Sequence, residues 1–142
     1  MFLTILITII LINSFLQMLL PTNQVWYGSI NKSPFSPPGY VFGIVWFILY
    51  LIISYSYSKS IGTTLFYVWT FNIILNILWT PIFFYFNNTY LSLIVIILMI
   101  VSLIYILSEY YQKDSILFYS NLLYLCWLGV AFYLNYYIYS SN

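Results

Sequence analysis

Five long apolar runs separated by polar breaks limit what this chain can fold into more than any other feature of it. The runs cover residues 2–20, 37–58, 64–86, 90–108 and 115–139. Each reaches the roughly 17 to 25 residues that carry a helix across a hydrocarbon core. All five charged side chains, Lys32, Lys59, Glu109, Lys113 and Asp114, fall between the runs. With 4% charged residues and 64% hydrophobic ones, the chain cannot cover itself with a water-soluble surface, which takes about 25% charged residues. The reading is an all-α integral membrane protein, multi-pass, with one domain over residues 1–142 built as a bundle of five transmembrane helices. The first run has no basic flank and no small-residue cleavage site, so it reads as a retained span. Lys59 and Lys113 then share the side of the first residue, which leans toward a cytoplasmic N-terminus. A net charge of +1 gives no footing for nucleic acid. With no His, a lone Cys126 and two carboxylates in one loop, neither a metal site nor an intrachain disulfide is expected.

The stretch between the first two runs is the least ordinary part of the chain. Compact connections usually take about 4 to 6 residues, and long ordered ones tend to be lids or binding loops. Here Trp26, Lys32, Pro34, Pro37 and Pro38 mark a proline-stiffened lid loop that loses less entropy on ordering than a loop without prolines. Ser36 ahead of Pro37-Pro38 reads as an N-cap, which starts the second helix near residue 37.

The runs themselves are unequal. In the first, Asn13 and Gln17 stand one turn apart with Ser14 beside them, a polar stripe that must face protein or a cavity. In the second, Gly39 and Gly43 form a GxxxG, a candidate close-packing face. The third places Trp69, Asn72, Asn76, Trp79 and Phe83 on one stripe, and Pro81 beyond it frees the carbonyl of Ile77 and predicts a kink. The fourth is nearly all Leu and Ile and reads as a lipid-facing wall. In the fifth, Asn121, Tyr124, Leu128, Ala131 and Asn135 share a face with Trp127 on its shoulder, and Gly129 nearby suggests room for something flat. Asn87-Asn88-Thr89 predicts a tight turn that makes the third and fourth helices a hairpin. Trp46, Trp79 and Trp127 lie about two to three turns inside their spans, too deep to anchor at the headgroups.

These motifs resemble those of the tryptophan-rich sensory protein/translocator protein (TspO/MBR) family over nearly the whole chain. The loop and second helix are similar to the family's W-Y-x-x-L-x-K-P-x-x-x-P-P and F-G-x-x-W-x-x-L-Y through Trp26, Tyr27, Ile30, Lys32, Pro37, Pro38, Phe42, Gly43, Trp46, Leu49 and Tyr50. The third helix matches through Asn72, Leu75, Asn76, Trp79, Phe83 and Phe84, and the fifth through Tyr124, Trp127, Ala131, Leu134 and Asn135. Ser33, Asn72 and Leu123 depart from the pattern. No Lys or Arg follows the tyrosines near residue 137, so the cholesterol pattern of animal members is absent. The third helix also lacks the small-residue face implicated in family dimers, so a homodimer stays open as a partner without an assigned interface.

The resemblance implies a pocket for flat hydrophobic molecules such as porphyrins, with Gln17, Tyr27, Trp46, Tyr50, Asn76, Trp79, Trp127 and Ala131 as ligand-binding residues. The function expected is a membrane-embedded porphyrin-binding protein or sensor, assisting transport of its ligand and requiring no cofactor. An aromatic-lined cavity with a few amides agrees with that, and the absence of His favours a free-base porphyrin over ligated haem. The alternatives are a transporter of tetrapyrroles or sterols and a light-dependent porphyrin-degrading enzyme, the latter implying Trp46 and Trp127 as its residues. The residues offer an enzyme little, because Glu109 and Asp114 flank Lys113 in a loop where no buried acid–base pair can form.

Overall fold

The computed structural model describes residues 1–142. It contains α1 (Phe2–Leu19), α2 (Gln24–Ser29), α3 (Gly39–Ser60), α4 (Leu65–Phe84), α5 (Thr89–Tyr110) and α6 (Ser115–Ser141), and no strands. The five long helices are each apolar and long enough to cross a membrane, which with the sequence defines a multi-pass integral membrane protein. Side-chain caps start three of the six helices: Asn23 accepts from the amide of Trp26 at 3.0 Å, Asn88 from Leu91 at 2.9 Å and Asp114 from Leu117 at 2.9 Å. Each supplies an oxygen to an amide that the helix itself leaves without a partner.

Ser36 does not act as a cap. α3 begins at Gly39 behind Pro38, which is extended (φ −56°, ψ 148°), and no side chain caps the helix. A proline pushes the residue before it out of the helical region, so Pro37 and Pro38 hold both Ser36 and Pro37 extended. The amide of Ser36 instead donates 3.0 Å to the carbonyl of Ser33, closing a turn around Pro34 and Phe35.

α4, α5 and α6 form a tightly packed slab with α5 in the middle. The lipid-facing wall expected of the fourth run is therefore wrong: α5 buries Ser92, Val95, Ile96, Met99, Ser102, Leu103, Ile106 and Tyr110 along one stripe. An all-apolar helix presents the same composition to lipid and to protein, and the hydrophobic effect does not choose between them inside a bilayer. What selects the inner face of α5 is small and polar side chains. Asn72 donates 3.0 Å to the carbonyl of Met99 and 2.7 Å to Ser102 Oγ, Trp69 Nε1 donates 3.0 Å to the hydroxyl of Tyr110, and Ser92 Oγ lies 2.8 Å from Asn135 Oδ1. The α4–α5 connection is the tight turn expected, with Asn87 taking the positive φ of 55° that asparagine tolerates better than most residues.

α1 and α3 lie against this slab less completely. α1 packs on α3 and α4 and buries only Leu6 and Ile9. α3 packs on α6 through its second half, burying Leu49, Ile53, Ser54, Ser56 and Ser60, and Asn121 of α6 donates 2.7 Å to Ser56 Oγ across that joint. No residue of α3 before Leu49 is buried. The two helices are joined toward one membrane face and stand apart toward the other, where the 20–38 connection, the α4–α5 turn and the end of α6 meet. The GxxxG of α3 lies in this open half. A Cβ placed on Gly39 or Gly43 would meet nothing within 4 Å, so the pair is not a close-packing face.

If α5 is core, truncating its inner face costs far more than truncating its outer one. Leu103→Ala should lower stability in detergent by about 2–5 kcal/mol, and Ile104→Ala, half exposed next to it, by less than about 0.5 kcal/mol. Denaturant unfolding of the two variants checks this, and equal losses would return α5 to the lipid.

Candidate ligand cavity

The space left between the open half of α3 and the slab is a cavity of about 770 Å³. Trp46 and Tyr50 enter it from α3, Asn76 and Trp79 from α4, Trp127 and Ala131 from α6, Gln17 from α1 and Tyr27 from α2. The structure thus brings all eight expected ligand-binding residues to one wall-lined space. It separates the lid residues. Lys32 lines the cavity, whereas Trp26, Pro34, Pro37 and Pro38 do not. Trp26 is spent on holding the connection down, its ring edge-on to Phe83 at 5.5 Å. The prolines shape the approach to α3 without touching the space below.

The polar groups of the walls are largely used by the protein itself. Tyr50 donates its hydroxyl to Asn76 Oδ1 at 3.3 Å, Asn76 donates to the hydroxyl of Tyr124 at 3.4 Å, and that hydroxyl donates to Asn72 Oδ1 at 2.9 Å. Trp79 Nε1 donates 3.3 Å to Asn135 Oδ1, while the ring of Trp79 stacks on Phe83 at 5.2 Å. The amides of α4 and α6 therefore orient aromatic rings, and the side-chain donors left free to meet a ligand lie mainly near the roof, on Gln17, Thr22, Gln24, Lys32 and Ser36. Phe42 meets Trp127 edge to face at 5.5 Å, bridging α3 and α6 where their backbones have parted. The ring N–H of Trp127 is buried without a hydrogen-bond partner. An apolar, aromatic surface with a few fixed amides can hold a flat hydrophobic molecule by burial and stacking and can do little acid–base chemistry. The only carboxylates, Glu109 and Asp114, lie at the opposite membrane face, one paired with Lys113 at 2.6 Å and the other capping α6.

The roof is the 20–38 connection, and it carries a helix, α2, that the proline pattern did not suggest. It is fastened at both ends to the slab. The amide of Asn23 donates 2.9 Å to the carbonyl of Phe84, and Tyr27 packs edge-on to the ring of Phe84 at 5.2 Å. At its far end the amide of Asn31 donates 2.8 Å to Asn142 Oδ1, Asn142 Nδ2 returns a bond of 3.1 Å to the carbonyl of Asn31, and Ser33 Oγ lies 3.2 Å from the hydroxyl of Tyr133. Tyr27 is half buried by this packing, and desolvation raises its pKa, keeping the phenol neutral.

Several lining residues escaped the sequence reading. Phe83 and Asn135 were on the right helical faces, but nothing in their spacing separated cavity from core. Met99 and Ile96 of α5 were hidden by the uniformity of that helix. Gly129, read as room for a flat ligand, is exposed on the outside of α6 and has no part in the cavity. Space at the cavity comes instead from Gly43 and Ala131.

Fold and site define a class: a membrane protein of five spans enclosing an aromatic-lined cavity under an extramembrane connection. The chain belongs to the TspO/MBR family, whose model matches residues 2–140. It is 32% identical over 137 residues to the tryptophan-rich protein TspO of Archaeoglobus fulgidus, an alignment covering 84% of this chain and 81% of the relative. It is also similar to protein CrtK of Rhodobacter capsulatus, 27% identical over 125 residues and covering 82% and 78% of the two chains. An uncharacterized membrane protein of Bacillus subtilis, YtaB, is 28% identical with 87% of this chain covered and 84% of its own. A relative in Cereibacter sphaeroides, 28% identical over 112 residues and covering 75% of this chain and 63% of its own, is named a tryptophan-rich sensory protein, and family membership with that name supports a membrane-embedded sensory or binding role.

The fastening of the roof to α6 is testable without any ligand. Net hydrogen bonds contribute about 0.5–1.5 kcal/mol each, so Asn142→Ala should speed hydrogen exchange at the Asn31 amide by up to about tenfold while leaving amides within α5 unchanged. Unchanged exchange at Asn31 would mean that the roof is held elsewhere.

Proposed function

We propose that the protein binds porphyrins in this cavity, as a membrane-embedded sensor or carrier of a free-base tetrapyrrole. The observation that supports this most is the convergence of Trp46, Trp79 and Trp127 from three separate spans on one cavity of about 770 Å³. Ligand pockets commonly measure on the order of 300–1,000 Å³, and this one is of a size to take a large flat ring. Tryptophan placed at the headgroup level would need no such explanation; tryptophan held at this depth around open space does. The walls offer ring faces and edges, which suit a planar conjugated ligand better than a branched aliphatic one.

We favour binding over catalysis from what surrounds the space. The chain contains no His, and both carboxylates lie at the other membrane face, so of the groups used in acid–base catalysis only Lys32 at the rim and tyrosine hydroxyls line the space. Any loss of porphyrin in this protein is expected to need light and oxygen and to be indifferent to Glu109→Gln.

The binding itself is checked by titrating the protein in detergent with protoporphyrin and following porphyrin absorbance. An offset aromatic pair adds about 0.5–1.5 kcal/mol beyond burial, so replacing both Trp46 and Trp127 with Ala should raise Kd by at least about tenfold. An unchanged Kd in that double variant would show that the porphyrin sits elsewhere.

A further inference from the structure

The cavity is cationic at one end only. Of the residues that line it, Lys32 alone carries a charge. Its ammonium lies 4.4 Å above the ring of Tyr27, and that ring is held by Phe84. Tyr27 thus acts as a post that keeps the partly exposed lysine over the cavity mouth. Lys32 has no counter-ion: the single ion pair of the protein is Lys113 with Glu109, and Asp114 is engaged in capping α6, both at the other membrane face. The half-buried phenol of Tyr27 is a neutral group and does not supply the missing charge.

The other hydrogen-bonding side chains of the rim, among them Gln17, Thr22, Gln24 and Ser36, gather at this same end. Tyr50 and Met99 line the floor, with Trp46 above them. Gly39 to Tyr50 spans about 16 Å along α3 at 1.5 Å per residue, so the cavity runs from a cationic rim to an uncharged floor, where the Tyr50 hydroxyl is already bonded to Asn76, over the length of a large planar molecule. A cation left unpaired beside apolar walls favours any anion that can reach it, because the low-dielectric surroundings strengthen the pair relative to one in open water.

We propose that Lys32 is a specificity-determining residue that receives the carboxylate edge of the ligand, so that the cavity selects flat hydrophobes bearing their anionic groups on one side and orients them with that edge under the roof. This rests on the reading of the cavity as a tetrapyrrole site. Protoporphyrin carries both of its propionates on one edge, and its dimethyl ester presents the same ring without the charge. Lys32 is partly exposed, so the selectivity is modest, on the order of tenfold at low salt.

The experiment compares the two ligands on the same protein. Absorbance titrations of the parent, Lys32→Arg and Lys32→Met with protoporphyrin and with its dimethyl ester should give a parent that prefers the diacid by about tenfold at low ionic strength. The preference should shrink as salt is added, persist in Lys32→Arg and vanish in Lys32→Met, whose affinity for the ester stays within about twofold of the parent. Ester binding serves as the control for folding in every variant. Equal affinity of the parent for acid and ester, or a preference that survives Lys32→Met, would overturn the assignment of Lys32 while leaving the cavity as a porphyrin site. Failure of the parent to bind either ligand would contradict the porphyrin reading itself, and the assignment with it.

Discussion

Polar side chains buried in hydrocarbon must find partners within the protein, and three asparagines that do so hold this bundle together. Asn72 joins α4 to α5 through the Met99 carbonyl and Ser102. Asn135 joins α6 to α4 and α5, accepting from Trp79 and donating 2.9 Å to the carbonyl of Thr89. Asn121 joins α6 to α3 through Ser56. Interhelical bonds of this kind average only about 0.6 kcal/mol in a membrane, so their weight lies in specifying register more than in adding stability. Two of these joints lock a three-helix slab. The third fixes α3 at one end and leaves its other half free of it.

The cavity is a consequence of that asymmetry. Because α3 buries no residue before Leu49, its backbone from Gly39 to Ile48 stands off from the slab, and Phe42, Trp46 and Phe47 line the gap, Phe42 and Trp46 meeting α6 only ring to ring at Trp127 and Tyr124. The same connectivity brings the 20–38 connection, the end of α4 and the end of α6 to one membrane face. Hydrogen bonds from Asn23 to Phe84 and between Asn31 and Asn142 then tie the roof to the rigid slab at both ends. A roof fastened in this way moves with α4 and α6, so the looser α1–α3 wall is the part of the enclosure with the fewest constraints.

Much of this was legible in the residues. The spans were marked by length and by the exclusion of charge, and the inward faces of α4 and α6 by amides and tryptophans that lipid does not accept. Those same faces supplied the cavity residues, because a bilayer protein has no other reason to place Asn76, Trp79 or Trp127 at depth. Where polarity gave no contrast, the reading failed. α5 looked like a wall because Leu and Ile serve lipid and core alike, and the two serines that mark its inner stripe are individually weak signals. Ser36 looked like a cap because its identity fits one, but two following prolines impose an extended backbone that a single-residue preference cannot override. The helix α2 and the Asn31–Asn142 bonds were invisible for a different reason: they depend on which loop and helix ends share a membrane face, a property of topology that no local pattern records.

The central claim is that the gap between the open half of α3 and the slab is the ligand site. A structure of the protein in lipid with bound protoporphyrin tests it most directly. The account predicts the ring inside the cavity, in contact with Trp46, Trp79 and Trp127 and below Tyr27. A porphyrin resting on the outer surface of the bundle, or in the shallow apolar groove between α1 and α4 lined by Ile5, Ile9 and Ile73, would contradict it.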